Sequence, residues 1–424
     1  MKNTQEIVEY LKSTPGLSRL IKGLRGKYES LSKTGGTVTI TNLTSVEKEA
    51  LSGLFGEDFY SKNDARISIA KFKKALERTR FLDVDLFDIL EHYYGEDIMS
   101  KQEVREIQKS ERERFDREML EILKDSEFRY TYEEGVKTKI ASFNKLITPI
   151  YNKNMDKLAK VLKSIDVAVQ QLPYKINSLE MLPIFAARMT KDPHGFDDDS
   201  ILQKIMMYHL CRIFEIAHPK NVEDKNEILF MAGLVRDDLS SFVYTKGLIA
   251  RKKNVVHKGW QGFYEANEIL QLTLLNLLEV DEVIAANSIV YVVENPMVFR
   301  EMAKNTAKDV ALICTYGQLR LAAKNLLDKI AKGGSTIYYS GDFDPEGMRI
   351  ADSLKKKYKE KLKLWCYDVK SYQTSISKEK ISESRLKKLD SLEDDELRQV
   401  AVLMRTERRA GYQENMMGEL FMDL

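Results

Sequence analysis

The sequence predicts a mixed α/β and α protein. A small parallel sheet with flanking helices lies at the C-terminal end, after a mainly helical region and a small mixed N-terminal module. Three observations predict this. From residue 288 onward, short β-rich runs alternate with helical stretches, the pattern of a parallel sheet with crossover helices. Residues 127–280 carry mostly helical periodicity. At 424 residues the chain is too long for one core, so two or three domains are expected. The expected domains are 1–100, 101–286 and 287–424, with a winged helix as one option for the first or second.

Bulk properties narrow the class. Hydrophobic content of 43% with 31% charged residues describes a soluble globular chain. The net charge of +2 is nearly balanced, so a nucleic-acid surface must be a local patch rather than global basicity. Cys211, Cys314 and Cys366 are far apart, as in a reduced intracellular protein without disulfides. The opening MKNTQEIVEYLKST has no apolar signal core, and no run approaches 18 apolar residues. The expectation is a cytoplasmic protein with no membrane segment.

In chain order, helices are expected over Thr4–Ser13 and Leu17–Ser32, then a strand over Thr37–Thr41. Thr44 and Glu47 form a capping box at the next helix start. A strand at Ala65–Ile69 precedes a helix bearing Lys71, Lys73, Lys74, Arg78 and Arg80. Those bases either contact DNA phosphates or form the helix's solvated face. The charge-dense Ser100–Ser126 stretch reads as a long exposed helix with i,i+4 pairs. Helices are then expected at Ile140–Ile165, Ile176–Met189 (broken or kinked at Pro183), Ile201–Ala217, Asn226–Leu234 and Glu268–Leu278.

The run Asp192 to Asp199 combines His194 with several carboxylates, but Asp-Pro and serial Asp are ordinary turn and cap chemistry. A structural turn is the expected reading. Arg251, Lys252 and Lys253 form a basic patch near Trp260, Phe263 and Tyr264, suited to nucleic acid or to anchoring a loop. Six of the nine residues from 355 to 363 are lysines, including Lys355, Lys356 and Lys357. They would either attract a polyanion or solubilise a helix face. Two helices are expected in the tail, Leu386–Leu424, with Glu407, Glu414 and Glu419 as spare acids.

The chemistry concentrates at strand ends. Ser288–Val293 reads as a buried strand ending in Glu294. Val310–Cys314 reads as a second. Thr336–Tyr339 leads through Gly341 into Asp342-Phe343-Asp344, then Pro345, Glu346 and Gly347 open a helix. Leu362–Tyr367 reads as a fourth. With all four parallel, Glu294 and the Asp342/Asp344 pair emerge on one edge, where open α/β sheets bind ligands. Oxygen-only donors suit magnesium or manganese, with Glu346 as a further candidate ligand.

A glutamate after the first strand and DxD after the third resembles the Toprim domain of topoisomerases and related nucleases. The DxDPxG form at Asp342–Gly347 is similar to that of the topoisomerase VI A subunit. VVENPMVF (292–299), ICTYGQ (313–318), YYSGDFDPEGMRIAD (338–352), LPIFAARMTKDPHGFDD (182–198) and GTVTITNLTSVEKEALSGLFG (36–56) together resemble the JetD-like nuclease subunit of Wadjet plasmid-defence systems. The resemblance implies a C-terminal Toprim catalytic domain using Glu294, Asp342 and Asp344 with Mg2+ or Mn2+. It implies hydrolytic cleavage of double-stranded plasmid DNA by a homodimer, with the substrate recognised by a condensin-like SMC motor with kleisin and accessory subunits. ATP use would belong to those partners, because the chain has no GxxxxGK[ST] phosphate loop. Two other readings stay open. A topoisomerase VI-like enzyme would add a tyrosine nucleophile, and Tyr28, Tyr60, Tyr93, Tyr94, Tyr130 and Tyr132 precede the acids. A DNA-bridging subunit would use the acids for structural metal alone. Tyr412-Gln413-Glu414 resembles a short C-terminal segment of the family and suggests an accessory role for Glu414.

Overall fold

The structure is a computed structural model describing residues 2–31, 36–78, 85–138 and 141–422. Arg80 lies outside the described residues. The chain divides into two compact units, residues 1–124 and 125–424. No helix among the described residues is long and apolar enough to cross a membrane.

The first unit is mixed, as expected of its sequence. Strands Thr37–Ile40 and Ala65–Ser68 pair antiparallel, and Val38, Ile40, Ala65 and Ile67 point into the core. The Thr44–Glu47 capping box forms and starts helix Ser45–Phe55, which Gly56 ends at φ 66°. Helix Ile69–Glu77 buries Ile69, Phe72, Ala75 and Leu76, leaving its lysines on the outer face. Helix Lys101–Ile122 starts at a second capping box, Ser100 with Glu103. It buries only Phe115 and Met119, as its charge density predicts.

The second unit begins with helices Phe128–Lys137, Ala141–Lys153, Met155–Gln170, Leu182–Thr190, Ile201–Ile213 and Val222–Met231. The single helix expected at 140–165 is two, because Asn154 turns out of the first and caps the second by accepting from Lys157 N. Pro183 does not kink a helix. It sits in the first turn of one that starts at Leu182, where a missing N–H costs nothing.

A six-stranded sheet follows. Its strands are β1 (Phe242–Lys246), β2 (Leu270–Thr273), β3 (Ile289–Val293), β4 (Ala311–Cys314), β5 (Thr336–Ser340) and β6 (Leu362–Leu364). Across the sheet the order is β6-β5-β3-β4-β1-β2. The four later strands run parallel, while β1 is antiparallel to β4 and β2 antiparallel to β1. The sheet therefore starts at residue 242 and recruits two strands from before residue 287.

Strand β2 corrects an expected helix at 268–278. Leu270 and Leu272 alternate along the strand, with Leu272 packed into the core, and Thr273 then caps a short helix, Leu274–Leu278. Pairing with β1 outweighs the run of leucines that suggests a helix. Strands Leu248–Lys252, Val255–Val256 and Glu282–Ala285 form a separate sheet. Its hairpin turns at Lys253 and Asn254, whose φ values of 51° and 64° fit a type I′ turn. The tail supplies helices Asp395–Glu407 and Met417–Met422, and strand Arg409–Gly411 pairs with Ile376–Lys380.

On one face of the parallel strands Val290, Val292, Ile313, Ile337 and Tyr339 line up by register and are wholly buried, whereas Tyr291 and Tyr338 on the other face are half-buried. The connection from β3 leads outward to β4, whereas the chain then crosses to β5 on the other flank of β3. Strand order reverses between β3 and β5. That reversal opens a crevice beyond their C-terminal ends.

Candidate active site

Glu294 leaves β3 and Asp342 follows β5, so the two flank the crevice. Asn295 accepts from Met297 N and Val298 N and caps helix Pro296–Asn305, which fixes the chain after Glu294. Asp344 caps helix Pro345–Tyr358, its Oδ1 accepting from Gly347 N at 2.7 Å. The intervening glycines are dictated by proximity. A Cβ at Gly341 would stand 3.1 Å from Glu294 Oε2, and one at Gly347 2.4 Å from the Asp342 carbonyl oxygen.

The tail closes over both acids. Gln413 Oε1 accepts from Glu294 N at 3.2 Å and Asn295 N at 3.0 Å, while Gln413 N donates to Asp342 Oδ1 at 3.0 Å. Phe343 and Gly411 exchange two backbone hydrogen bonds of 2.9 Å. The Phe343 ring stacks on Tyr367 with centroids 4.5 Å apart, and Tyr367 OH donates to Asp342 O at 2.7 Å. Glu414, through Oε1, accepts from Asn295 Nδ2 at 2.6 Å.

Burial, then the charges of Asp342 and Asp344, push the Glu294 carboxyl up to about 7. Burial likewise raises Asp342 to about 6, helped by Glu414 and Asp344 and opposed by the Gln413 N–H. Glu294 Oε2, Tyr339 OH, Ser340 Oγ and Gln413 Nε2 are buried here without hydrogen-bond partners. Such unmet polar demand in a native interior marks a site that expects an occupant. Hard oxygen donors, an orphaned carboxylate oxygen and mutually repelling acids fit a divalent cation, with Glu294, Asp342 and Asp344 as its holders.

Asp344 and Glu346 meet cations already on the chain. Arg385 Nη2 donates to Asp344 Oδ2 at 2.6 Å and to Glu346 Oε2 at 2.6 Å, and Arg385 Nε donates to Glu346 Oε2 at 3.1 Å. Lys388 Nζ donates to Glu346 Oε1 at 2.6 Å. Burial pushes Glu346 up, but Arg385 and Lys388 outweigh it and hold the carboxyl at about 2. With both oxygens engaged, Glu346 is not placed as a ligand. Among the described residues no group of three or more His, Cys, Asp or Glu is arranged to hold a metal as it stands. Glu294 and Asp342 share one buried pocket of charge, while Asp344 is shared with a guanidinium.

Most of the basic residues singled out in the sequence have partners of their own. Lys355 donates to Leu362 O, Lys356 pairs with Glu393 and Lys357 with Asp328. They end the helix that Asp344 starts, about 20 Å away at 1.5 Å per residue. Lys71 pairs with Glu57 and Lys73 with Asp85, whereas Lys74 and Arg78 are exposed. Arg251 pairs with Glu282, Lys252 with Glu279, and Lys253 occupies the hairpin turn. The Asp192–Asp199 run folds as turns. His194 pairs with Asp197, Asp198 with Lys225 and Arg236, and Ser200 caps the next helix. Sequence reasoning missed Arg385, Lys388, Gln413 and Tyr367. Gln413 alone had a signal, as the middle residue of Tyr412-Gln413-Glu414, which gave it no role.

Residues 34–250 match a family described as a protein of unknown function N-terminus, DUF3323. Residues 270–424 match one described as a protein of unknown function C-terminus, DUF2399. The first match alone spans just over half of the chain, and the chain belongs to that family. No curated protein matches it.

Proposed function

We propose that the chain is a metal-dependent DNA endonuclease whose active edge is Glu294, Asp342 and Asp344, in a Toprim-like arrangement. The observation that carries this reading is the pair of half-buried carboxylates, Glu294 and Asp342, just past the ends of adjacent parallel strands at the strand-order reversal. Sequence likeness to JetD-like subunits supports plasmid DNA as substrate, a homodimer as the cutting unit and an SMC-type motor with kleisin as partner. The pairing of the two family matches in one chain fits that assignment.

Magnesium or manganese held by the three carboxylates would supply Lewis-acid stabilisation of the phosphate's developing charge and an activated water. The chain's own residues do the rest. Gln413 and Tyr367 hold Asp342 in place through its carboxylate and its carbonyl. Glu294, with a carboxyl that titrates at about 7, either completes the donor set or holds and moves a proton at Oε2. Phe343, stacked in the core, keeps water from the far side of the DxD turn.

The test is supercoiled plasmid with magnesium or manganese and the motor partners, run beside Glu294→Ala and Asp342→Ala. Linear product with free ends, absent in both variants, is the expected result. Ends that enter a gel only after protease would identify a covalent tyrosine link. Intact plasmid under every condition, with DNA binding retained, would leave a bridging subunit.

A further inference from the structure

We infer that Arg385 is a resident counter-ion of the active edge. It holds Asp344 until a divalent cation claims that carboxylate, and Glu346 then keeps the guanidinium beside the site to meet a substrate phosphate oxygen. The inference rests on the nuclease reading and deepens it.

The hydrogen bonds divide the labour. Asp344 shares one guanidinium nitrogen, Nη2, with Glu346, and Glu346 holds Nε as well. Losing Asp344 therefore leaves Arg385 with two donor contacts on one partner. Lys388 fixes the other oxygen of that partner, so Glu346 is a post with its own anchor. Asp344 is in the opposite position. Its Oδ1 serves the helix cap through Gly347 N, which leaves Oδ2, the oxygen Arg385 occupies, as the one a cation can take.

The choice of arginine matters. A guanidinium stays charged at any relevant pH, and its planar fork matches two oxygens of a phosphate as well as it matches carboxylates. The Arg385 side chain is about one-third exposed, so the crevice can reach it. Glu346 thereby acquires a role as positioning residue.

Manganese binding without DNA, followed by paramagnetic resonance or calorimetry, tests this directly. Arg385→Gln should bind Mn2+ about tenfold more tightly, since a neighbouring charge of that kind alters a carboxylate's affinity by one or more powers of ten. The same variant should cleave plasmid at least about tenfold more slowly, because a transition-state charge loses its partner. Structural damage would lower both. Glu346→Gln should weaken Mn2+ binding in the otherwise unaltered protein and have little effect beside Arg385→Gln, a coupling that a double-mutant cycle measures. Unchanged Mn2+ affinity in Arg385→Gln, or an equal loss from Glu346→Gln in both backgrounds, overturns the proposal while leaving the nuclease reading intact. If the unaltered protein binds no Mn2+ that Asp342→Asn abolishes, the nuclease reading falls first.

Discussion

The two ends of helix Pro345–Tyr358 divide function from structure within 14 residues. At its N-terminus stand Asp344 and Glu346, next to buried polar atoms with no partner. At its C-terminus stand Lys355, Lys356 and Lys357, each satisfied by a carbonyl or a carboxylate of the same chain. Both ends complement the helix dipole, acids at the positive end and bases at the negative end. Charge alone therefore does not mark a site. Unmet demand does.

The largest effect should come from the acidic end. Glu294→Ala and Asp342→Ala are each expected to lower plasmid cleavage by about 10^3-fold or more, against under about twofold for Lys356→Gln, measured as initial rates. Comparable losses at both ends would erase the distinction.

A smaller effect sharpens it. Glu294 has a folded pKa of about 7, above its ordinary value of 4.5, so the metal-free protein holds a proton there that the unfolded chain has lost. The stability this confers is complete below about pH 4.5 and gone once pH passes 7. Glu294→Gln keeps a neutral group throughout. In the metal-free state it should gain about 3 kcal/mol over the unaltered protein at pH 8, and little at pH 4.5, by urea unfolding. A loss-of-function variant that stabilises is the signature of a strained site.

His209 gives the converse in a wholly structural setting. It is buried against Phe128 with Thr131 Oγ1 at 2.8 Å from Nδ1, and burial lowers its pKa from 6.5 to about 4. Stability is full above pH 6.5 and falls as pH drops towards 4, by about 3 kcal/mol. Removing the imidazole in His209→Gln should flatten that acid limb. A limb that persists would point to another group. The smallest effect returns to the lysine end, where Lys356→Gln should leave the urea unfolding midpoint essentially unchanged, because exposed ion pairs contribute little.

Much of the active edge was legible. Buried strands announce themselves as short β-branched runs, and Glu294 and Asp342 directly follow two of them. Parallel pairing then fixes that they share an edge. Partners were not legible. Arg385 is 41 positions from Asp344, and Gln413 is 71 from Asp342, separations that no local pattern encodes. Strand β2 was misread because its leucines fit a helix as well as a sheet, and the decision belongs to β1. The lysine run shows a similar limit: sequence displays the charges of Lys356 and Lys357 but conceals Glu393 and Asp328 beside them.

The Gln413 clamp has a consequence in time. During synthesis β3 and β5 emerge first, and the side chain and amide that hold Glu294 and Asp342 arrive 119 and 71 residues after those acids. A nascent chain carries the acids without their brace until residue 413 leaves the ribosome. The edge therefore gains its final geometry only once the chain through residue 413 has folded back onto it.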